Sequence, residues 1–260
     1  MTIPRLTVIH EPYPLTQDFR RDWERLYRLA PGANVFSTLE WMEAGWQWFA
    51  SREEGIRPVR ICNASGDTVA MALHKEGKSP RAWGHLATWR TVDYNAQRIV
   101  PFLAVDLPHL AGALTALYED AAGRIDVFDF FKLDPLDDGL RTVCEELAPR
   151  GLRPRLSVFN EQPQLRLPDD WEAYYRSHSG IFWKTPRRMR RRMAEAYGSV
   201  AYRRLRTPDP ARRPLDGALD RMAEVFERSW QVQTMREEGN VSPEAMQGFY
   251  WTVAQAGLQR

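Results

Sequence analysis

Over the first 160 residues the period of the apolar side chains switches between two and 3.6 in an order that few folds can accommodate. It begins at two in "RLTVIH" (5–10), which reads as a short strand. It moves to 3.6 in "LTQDFRRDWERLYRLA", where Leu15, Phe19, Trp23, Leu26, Tyr27 and Ala30 share one helical face, and "PGAN" breaks that helix. "FSTLEWMEAGWQWFA" starts a second helix, with Ser37 as the expected cap and Glu40 where a capping box wants an acid. Being apolar nearly all round, this helix is expected to be buried. The period returns to two in "IRPVRICN" and "TVAMALHK", joined by the hairpin signal "ASGD", and "RAWGHLATW" supplies a third strand. After the irregular "RTVDYNAQRIVPFLAV", Asp106 opens a helix striped by Leu107, Leu110, Ala111, Leu114, Leu117, Tyr118 and Ala121. "RIDVFDFFKL" then reads as a strand apolar on both faces. "DPLDDGLRTVCEELAPRG" reads as a helix with Asp134 as cap, Pro135 in its first position and Gly151 past its end. "PRLSVFNEQ" closes the unit as a strand. The order is strand, helix, helix, three strands, helix, strand, helix, strand, and the fold class is α/β.

Next, "DDWEAYYRSHSG" reads as a connecting helix, and a strongly basic segment follows it. The pattern then restarts. "SVAYRRLR" is a strand, and "PLDGALDRMAEVFERSWQVQ" a helix with Leu215, Leu219, Met222, Val225 and Phe226 inward. "SPEAMQGFYWTVAQAGL" is a helix capped by Ser242 before Pro243, with Met246, Phe249, Tyr250 and Val253 on one face. Strand–helix–helix thus occurs twice, at 5–50 and at 199–258, a repeat of architecture rather than of close sequence. The first copy continues into a sheet, and the second reaches Arg260 where its hairpin would begin. The expected organisation is a domain at 1–160, a linker with a basic helix at 161–198, and the start of a second domain at 199–260. The Met222/Phe226 and Phe249/Tyr250 faces would lie uncovered unless they pack on the first domain or on a second copy.

The composition narrows the class. With 260 residues, 43% apolar and 27% charged, the chain reads as globular. Cys62 and Cys144 lie far apart outside any C-x-x-C, which fits two buried thiols in a reducing, cytoplasmic setting. The opening "MTIPRLTVIHEPYP" lacks the pattern of a signal peptide, and no apolar run approaches the ~20 residues of a membrane span. The net charge is only +2, but residues 161–260 carry 17 Lys/Arg against 13 Asp/Glu.

"WKTPRRMRRRMAEAYGSV" (183–200) supplies that excess: Lys184, Arg187, Arg188, Arg190, Arg191 and Arg192 fall within nine residues. Met189, Met193, Ala196 and Tyr197 make it an amphipathic helix, with Thr185 as the expected cap, Pro186 first and Gly198 as its end. Cations in its first two turns would oppose the helix dipole. The segment is either a solvated face or a site for phosphate or carboxylate. DNA is not the expected anion, because the basic footprint is narrow and the pI is only about 8.6. Asp93, Tyr94 and Asn95 interrupt an apolar region just past a strand. They read equally as the lining of a ligand crevice or as an Asx-type turn. Asp134, Asp138, Gly139 and Glu145 mimic a calcium loop, but Leu136 stands where an oxygen ligand is needed, and the five histidines show no ligand spacing; no metal is expected. No sequence pattern marks a nucleophile, a P-loop or a dinucleotide site.

"FSTLEWMEAGWQWF", "DYNAQRIVPF", "DVFDFFKLDP" and "TPRRMRRRMAEAYGSV", in this order, resemble the CelD/BcsL-type acyltransferases, relatives of the Fem-type peptidyltransferases built from two tandem GNAT-like domains. The resemblance runs over essentially the whole chain. It implies a GNAT-like fold, in tandem with an incomplete second copy, and acyl-CoA as co-substrate. It also implies transfer of the acyl group to an amine or hydroxyl, in polysaccharide or cell-envelope biosynthesis. A GNAT domain holds the pyrophosphate of acyl-CoA on a Q/R-x-x-G-x-G/A turn. Here Gln97 and Arg98 are not followed by those glycines, so the first domain is expected not to bind CoA, and the equivalent turn of the second would lie beyond Arg260. In Fem-type relatives a basic helix between the domains helps hold a phosphorylated precursor. By that resemblance Lys184, Arg187, Arg188 and Arg191 would meet an anionic or glycan substrate. The alternative is a non-catalytic accessory module that binds such a ligand.

Overall fold

Thr68–Ser79 (β3) carries apolar residues at both parities, as a strand in the middle of a sheet must. Met71 and Leu73 are buried on one face, and Ala70, Ala72 and His74 on the other. The computed structural model describes residues 6–50, 55–79, 86–92, 94, 102–130, 138–152, 154–158, 168–199, 214–229, 232 and 242–258. Gly55–Cys62 (β2) pairs antiparallel with β3, and Thr7–His10 (β1) pairs beyond it. The β2–β3 turn is held by Asn63, whose Oδ1 accepts from the amides of Ser65 (3.0 Å) and Asp67 (2.9 Å). Gly66 takes φ +87° there, a conformation in which a Cβ would be strained. On the other side of β3, Leu86–Thr91 (β4) and Leu103–Ala104 (β5) pair end to end, β4 with His74–Ser79 and β5 with Ala70–Met71. Val127–Asp129 (β6) adds to β4 in parallel. The strand order is β1-β2-β3-β4-β6, with β5 on β3.

Gln17–Leu29 (α1) and Leu39–Phe49 (α2) cover the Met71/Leu73 face through Phe19, Trp23, Leu26 and Met42. Arg20 locks the two helices with a two-pronged bond to Glu43 (2.8 and 2.5 Å). Leu107–Ala121 (α3) covers the opposite face, Ala113, Leu117 and Ala121 meeting Val59, Ile61, Ala72 and Trp89. Asp138–Leu147 (α4) packs on α3 through Val143 and Leu147 against Ala111. The class is mixed α/β. The order of elements up to α4 is the one read from the sequence, with the two-residue β5 added in the stretch read as irregular and α3 crossing between parallel β4 and β6.

Several local expectations are corrected. Ser37 does not cap α2. A 3₁₀ turn, Val35–Ser37, intervenes, and Thr38 caps instead, accepting from the Trp41 amide (3.3 Å). Ser37 lies buried, its carbonyl accepting from Trp23 Nε1 (3.0 Å). No strand forms over 154–158, where Leu156 and Val158 are exposed. β6 is three residues long with Val127 exposed, not a strand buried on both faces, so it offers little to pair against. Cys62 is buried as expected, but Cys144 is only half-buried. The expected cap at Asp134 and Pro135 lies outside the described residues, while Gly151 ends the segment at φ +78°.

Pro243–Leu258 (numbered α8) docks on α2. Phe249 is fully buried between the rings of Trp41 (4.9 Å) and Phe49 (5.1 Å), and Trp48 Nε1 donates to Thr252 Oγ1 (3.0 Å). The Phe249 face is thus covered by the first domain. Residues 221–260 group with 1–159, and 160–220 form a second compact unit. On Pro214–Glu227 (α7), Met222 and Val225 are exposed rather than inward. The strand expected at 199–206 falls, after Ser199, outside the described residues.

Three substitutions test this packing. A Cβ on Gly45 would stand 2.7 Å from Tyr94 Cβ, whereas one on Gly257 would meet nothing. Gly45→Ala is expected to destabilise by about 1–3 kcal/mol, and Gly257→Ala to be neutral or stabilising by up to about 1 kcal/mol. Phe249→Ala is expected to cost about 3–5 kcal/mol in urea melts, against almost nothing if α8 were undocked.

Candidate functional site

β4 and β6 run side by side from Thr88↔Val127 to Arg90↔Asp129. Beyond that point β4 stays with β3, the Val92 amide donating to the Leu73 carbonyl (3.3 Å). The carboxyl ends of parallel strands that part are where open α/β sheets bind ligands. Trp89 of β4 and Phe128 of β6, within the paired stretch, belong to a cluster of rings. His74, fully buried, stacks on Trp89 (5.7 Å between centroids, 13° between planes) and meets Phe102 edge-on (5.4 Å) and Phe130 (6.3 Å). Phe128 closes on Trp89 from its side (5.7 Å).

This aromatic plug encloses polar atoms. Both ring nitrogens of His74, Trp89 Nε1 and Thr91 Oγ1 are buried and have no hydrogen-bond partner among the described residues. His74 and Thr91 stand directly opposite each other in the β3–β4 register. Burial pushes the His74 pKa down to about 3; the Arg90 backbone offsets this only in part, without a well-formed hydrogen bond, and His10 adds to the lowering. A group that weak is no general base at neutral pH. It can give one hydrogen bond and accept one. At the start of α3, Asp106 accepts from the His109 amide (2.9 Å) and pairs with His109 Nδ1 (2.7 Å). Burial alone would raise the Asp106 pKa, but the His109 bonds outweigh it and hold the carboxyl low. The helix N-terminus that would attract a phosphate faces an acid of the chain itself.

Of the crevice candidates, Asp93 and Asn95 lie outside the described residues, as do Gln97 and Arg98. Tyr94 packs on α2. Its carbonyl accepts from Trp41 Nε1 (3.1 Å), its ring lies by Trp46 and Phe49, and Lys75 Nζ stands 4.6 Å from the ring centre.

The basic candidates belong to the unit 160–220, a helical hairpin of Trp171–Ser177 (α5) and Gly180–Tyr197 (α6). Tyr175 stacks on Trp183 (4.4 Å, 15°), Trp183 Nε1 donates to the Tyr175 carbonyl (3.1 Å), and His178 lies against Phe182 (4.4 Å). Ser179 caps α6, not Thr185, and Thr185 and Pro186 are interior. The cations therefore begin in the second turn, beyond the reach of the positive helix end, and the expected conflict with the dipole is absent. The aromatic clamp carries the helix through Pro186, which has no N–H for the Phe182 carbonyl. Lys184, Arg187, Arg188 and Arg191 fall on one exposed face. Arg187 lies over the Tyr175 ring (5.5 Å) and donates to its hydroxyl, and Arg191 Nε is 3.5 Å from Glu195. Lys184 and Arg188 make no ion pair among the described residues.

His74, Trp89 and Thr91 carry a faint signal in sequence. His74 has the inward parity of Ala70 and Ala72, so a polar ring must enter the core there. Among the described residues no three His, Cys, Asp or Glu side chains gather as a metal site, and no helix is long and apolar enough to cross a membrane.

No family model matches the chain, and no curated protein matches it in sequence. Among solved structures it is similar to the aminoglycoside antibiotic 6'-N-acetyltransferase AAC(6')-Ih from Acinetobacter baumannii, at 10% identity over 62% of this chain and 100% of that one, with a TM-score of 0.38. So slight a likeness carries no weight for function.

The buried histidine makes stability depend on pH. Its folded pKa is about 3 and its ordinary value 6.5, so between them the unfolded chain binds the extra proton. Its contribution is complete above 6.5 and is lost as the pH falls toward 3, at up to about 1.4 kcal/mol per pH unit. In urea melts stepped down through this window, His74→Gln is expected to lose stability more gently than the wild type by about that slope. Equal slopes would mean that the ring is protonated in the fold.

Proposed function

We propose that the chain serves acyl transfer of the GNAT type, from acyl-CoA to an amine or hydroxyl on an anionic acceptor of polysaccharide or cell-envelope biosynthesis. Residues 6–158 act as a scaffold, and the basic hairpin holds the acceptor. The observation that carries this reading is the order and pairing of the sheet, with parallel β4 and β6 joined through α3. Lys184, Arg187, Arg188 and Arg191 suit phosphate or carboxylate, and the Tyr175 ring preorients Arg187. Such transfer rests mainly on positioning and electrostatics, which a fixed row of guanidinium groups supplies. The plugged seam favours a second reading, an accessory module that binds the acceptor without performing the transfer.

Thiol release from acetyl-CoA separates the two. Release by the 260-residue chain that depends on an amine-bearing nucleotide-sugar supports transfer, and none at any acceptor concentration leaves the accessory role. Under both readings the β4–β6 seam binds no acyl-CoA, so widening it by Phe102→Ala leaves acyl-CoA titrations unchanged. The variant with Arg187, Arg188 and Arg191 all changed to Gln is expected to bind a nucleotide-sugar or polyprenyl-phosphate mimic more weakly, by about 1.5–3 kcal/mol per lost contact. Its urea midpoint is expected to stay nearly unchanged, since all three side chains are exposed. Unaltered ligand binding would remove the basic face from the site.

A further inference from the structure

The arginines named above occupy one side of α6, and the other side is of a different kind. At about 100° per residue, Phe182, Met189, Met193, Ala196 and Tyr197 fall within an arc of about 120°. Among the described residues of this unit the arc is largely exposed, with His178 against Phe182 at one end. Met189 is 59% exposed, Met193 47%, Tyr197 79% and Phe182 48%. Ile181, 82% exposed, extends its edge at the first turn. Arg190 borders the arc on one side, and Arg192 and Arg188 on the other. The one acid of the helix, Glu195, is on the far side beside Arg191.

We infer that α6 is a peripheral membrane-docking helix that lies on an anionic bilayer with this arc inserted. The chemistry selects that occupant. A free phosphate would use the guanidinium groups alone, and a nucleic acid, which stacks bases on rings, would gain little from Met189 and Met193 at the centre of the arc. A bilayer interface takes both: the apolar arc enters the acyl boundary, while the arginine stems reach outward to the lipid phosphates. Arg190 and Arg192, which flank the arc, with Arg188 next to them, match an anionic leaflet in charge. The aromatic clamp of Tyr175 on Trp183 holds the helix preformed, so little ordering is left for docking. The inference does not depend on acyl transfer, since it uses the opposite side of the helix and no acceptor.

Flotation of the full chain with phosphatidylcholine vesicles, with and without phosphatidylglycerol, tests it. Binding is expected only with the anionic lipid, and it is expected to fall as salt is raised. Met189→Gln with Met193→Gln should weaken it by about tenfold or more. Arg190→Gln with Arg192→Gln should weaken it by about fivefold per arginine. Both variants should keep the wild-type urea midpoint. Absent wild-type binding, equal binding to both vesicle types, or undiminished binding by the methionine variant overturns the proposal. So does a lowered urea midpoint in that variant, which would mean that the arc packs on the protein itself. Glycerol phosphate that competes at its own concentration as well as the vesicles do would also overturn it, by reducing the partner to a soluble anion.

Discussion

The pairing of β3 on both of its edges is the constraint on which the sheet depends. β2 takes one edge, while β4 and β5 share the other end to end. Because β3 is covered on both faces, its alternate residues must fill two different cores, one against α1 and α2 and the other against α3. A shift of one residue would exchange Met71 and Leu73 with Ala70, Ala72 and His74 and mismatch both. On the other edge of β4, β6 pairs with three residues, Thr88 to Arg90.

From that short parallel pairing follows the character of the seam. Beside the parallel pair, Trp89, Phe102, Phe128 and Phe130 form an aromatic plug with His74. Such a plug stabilises through apolar area and ring contacts. It also carries the cost of polar atoms sealed without partners. The α5–α6 hairpin has a surface of another kind. There one exposed side of α6 presents guanidinium groups to water and the other presents methionine and aromatic groups.

Within the hairpin, order comes from rings rather than from a core. α6 has no buried residue, yet Tyr175, His178, Phe182 and Trp183 interlock across the short turn. The same Tyr175 ring receives Arg187. A side chain that pins the helix thus also orients one of its cations.

Much of the scaffold was legible in the sequence because periodicity reports burial directly. The Phe19/Trp23/Leu26 face, the hairpin at Asn63–Asp67 and the Asp106 cap needed only local chemistry. The cationic row on α6 was legible for the same reason, since a helix places residues 184, 187, 188 and 191 together wherever it starts. Where it starts was not legible. Thr185–Pro186 has the form of a helix beginning, and only the stacking of Trp183 on Tyr175, a contact between two helices, extends the helix back to Ser179. The strand pattern from 154 to 162 was equally clear, yet its described part, 154–158, forms no strand, because pairing needs an edge and sequence does not supply one. The covering of Phe249 by Trp41 and Phe49, two hundred residues away in the chain, was likewise decided by tertiary structure alone. The same holds for the orphaned nitrogens of His74. Parity sends that ring inward, but which groups surround it depends on how β4, β5 and β6 divide the space beside β3.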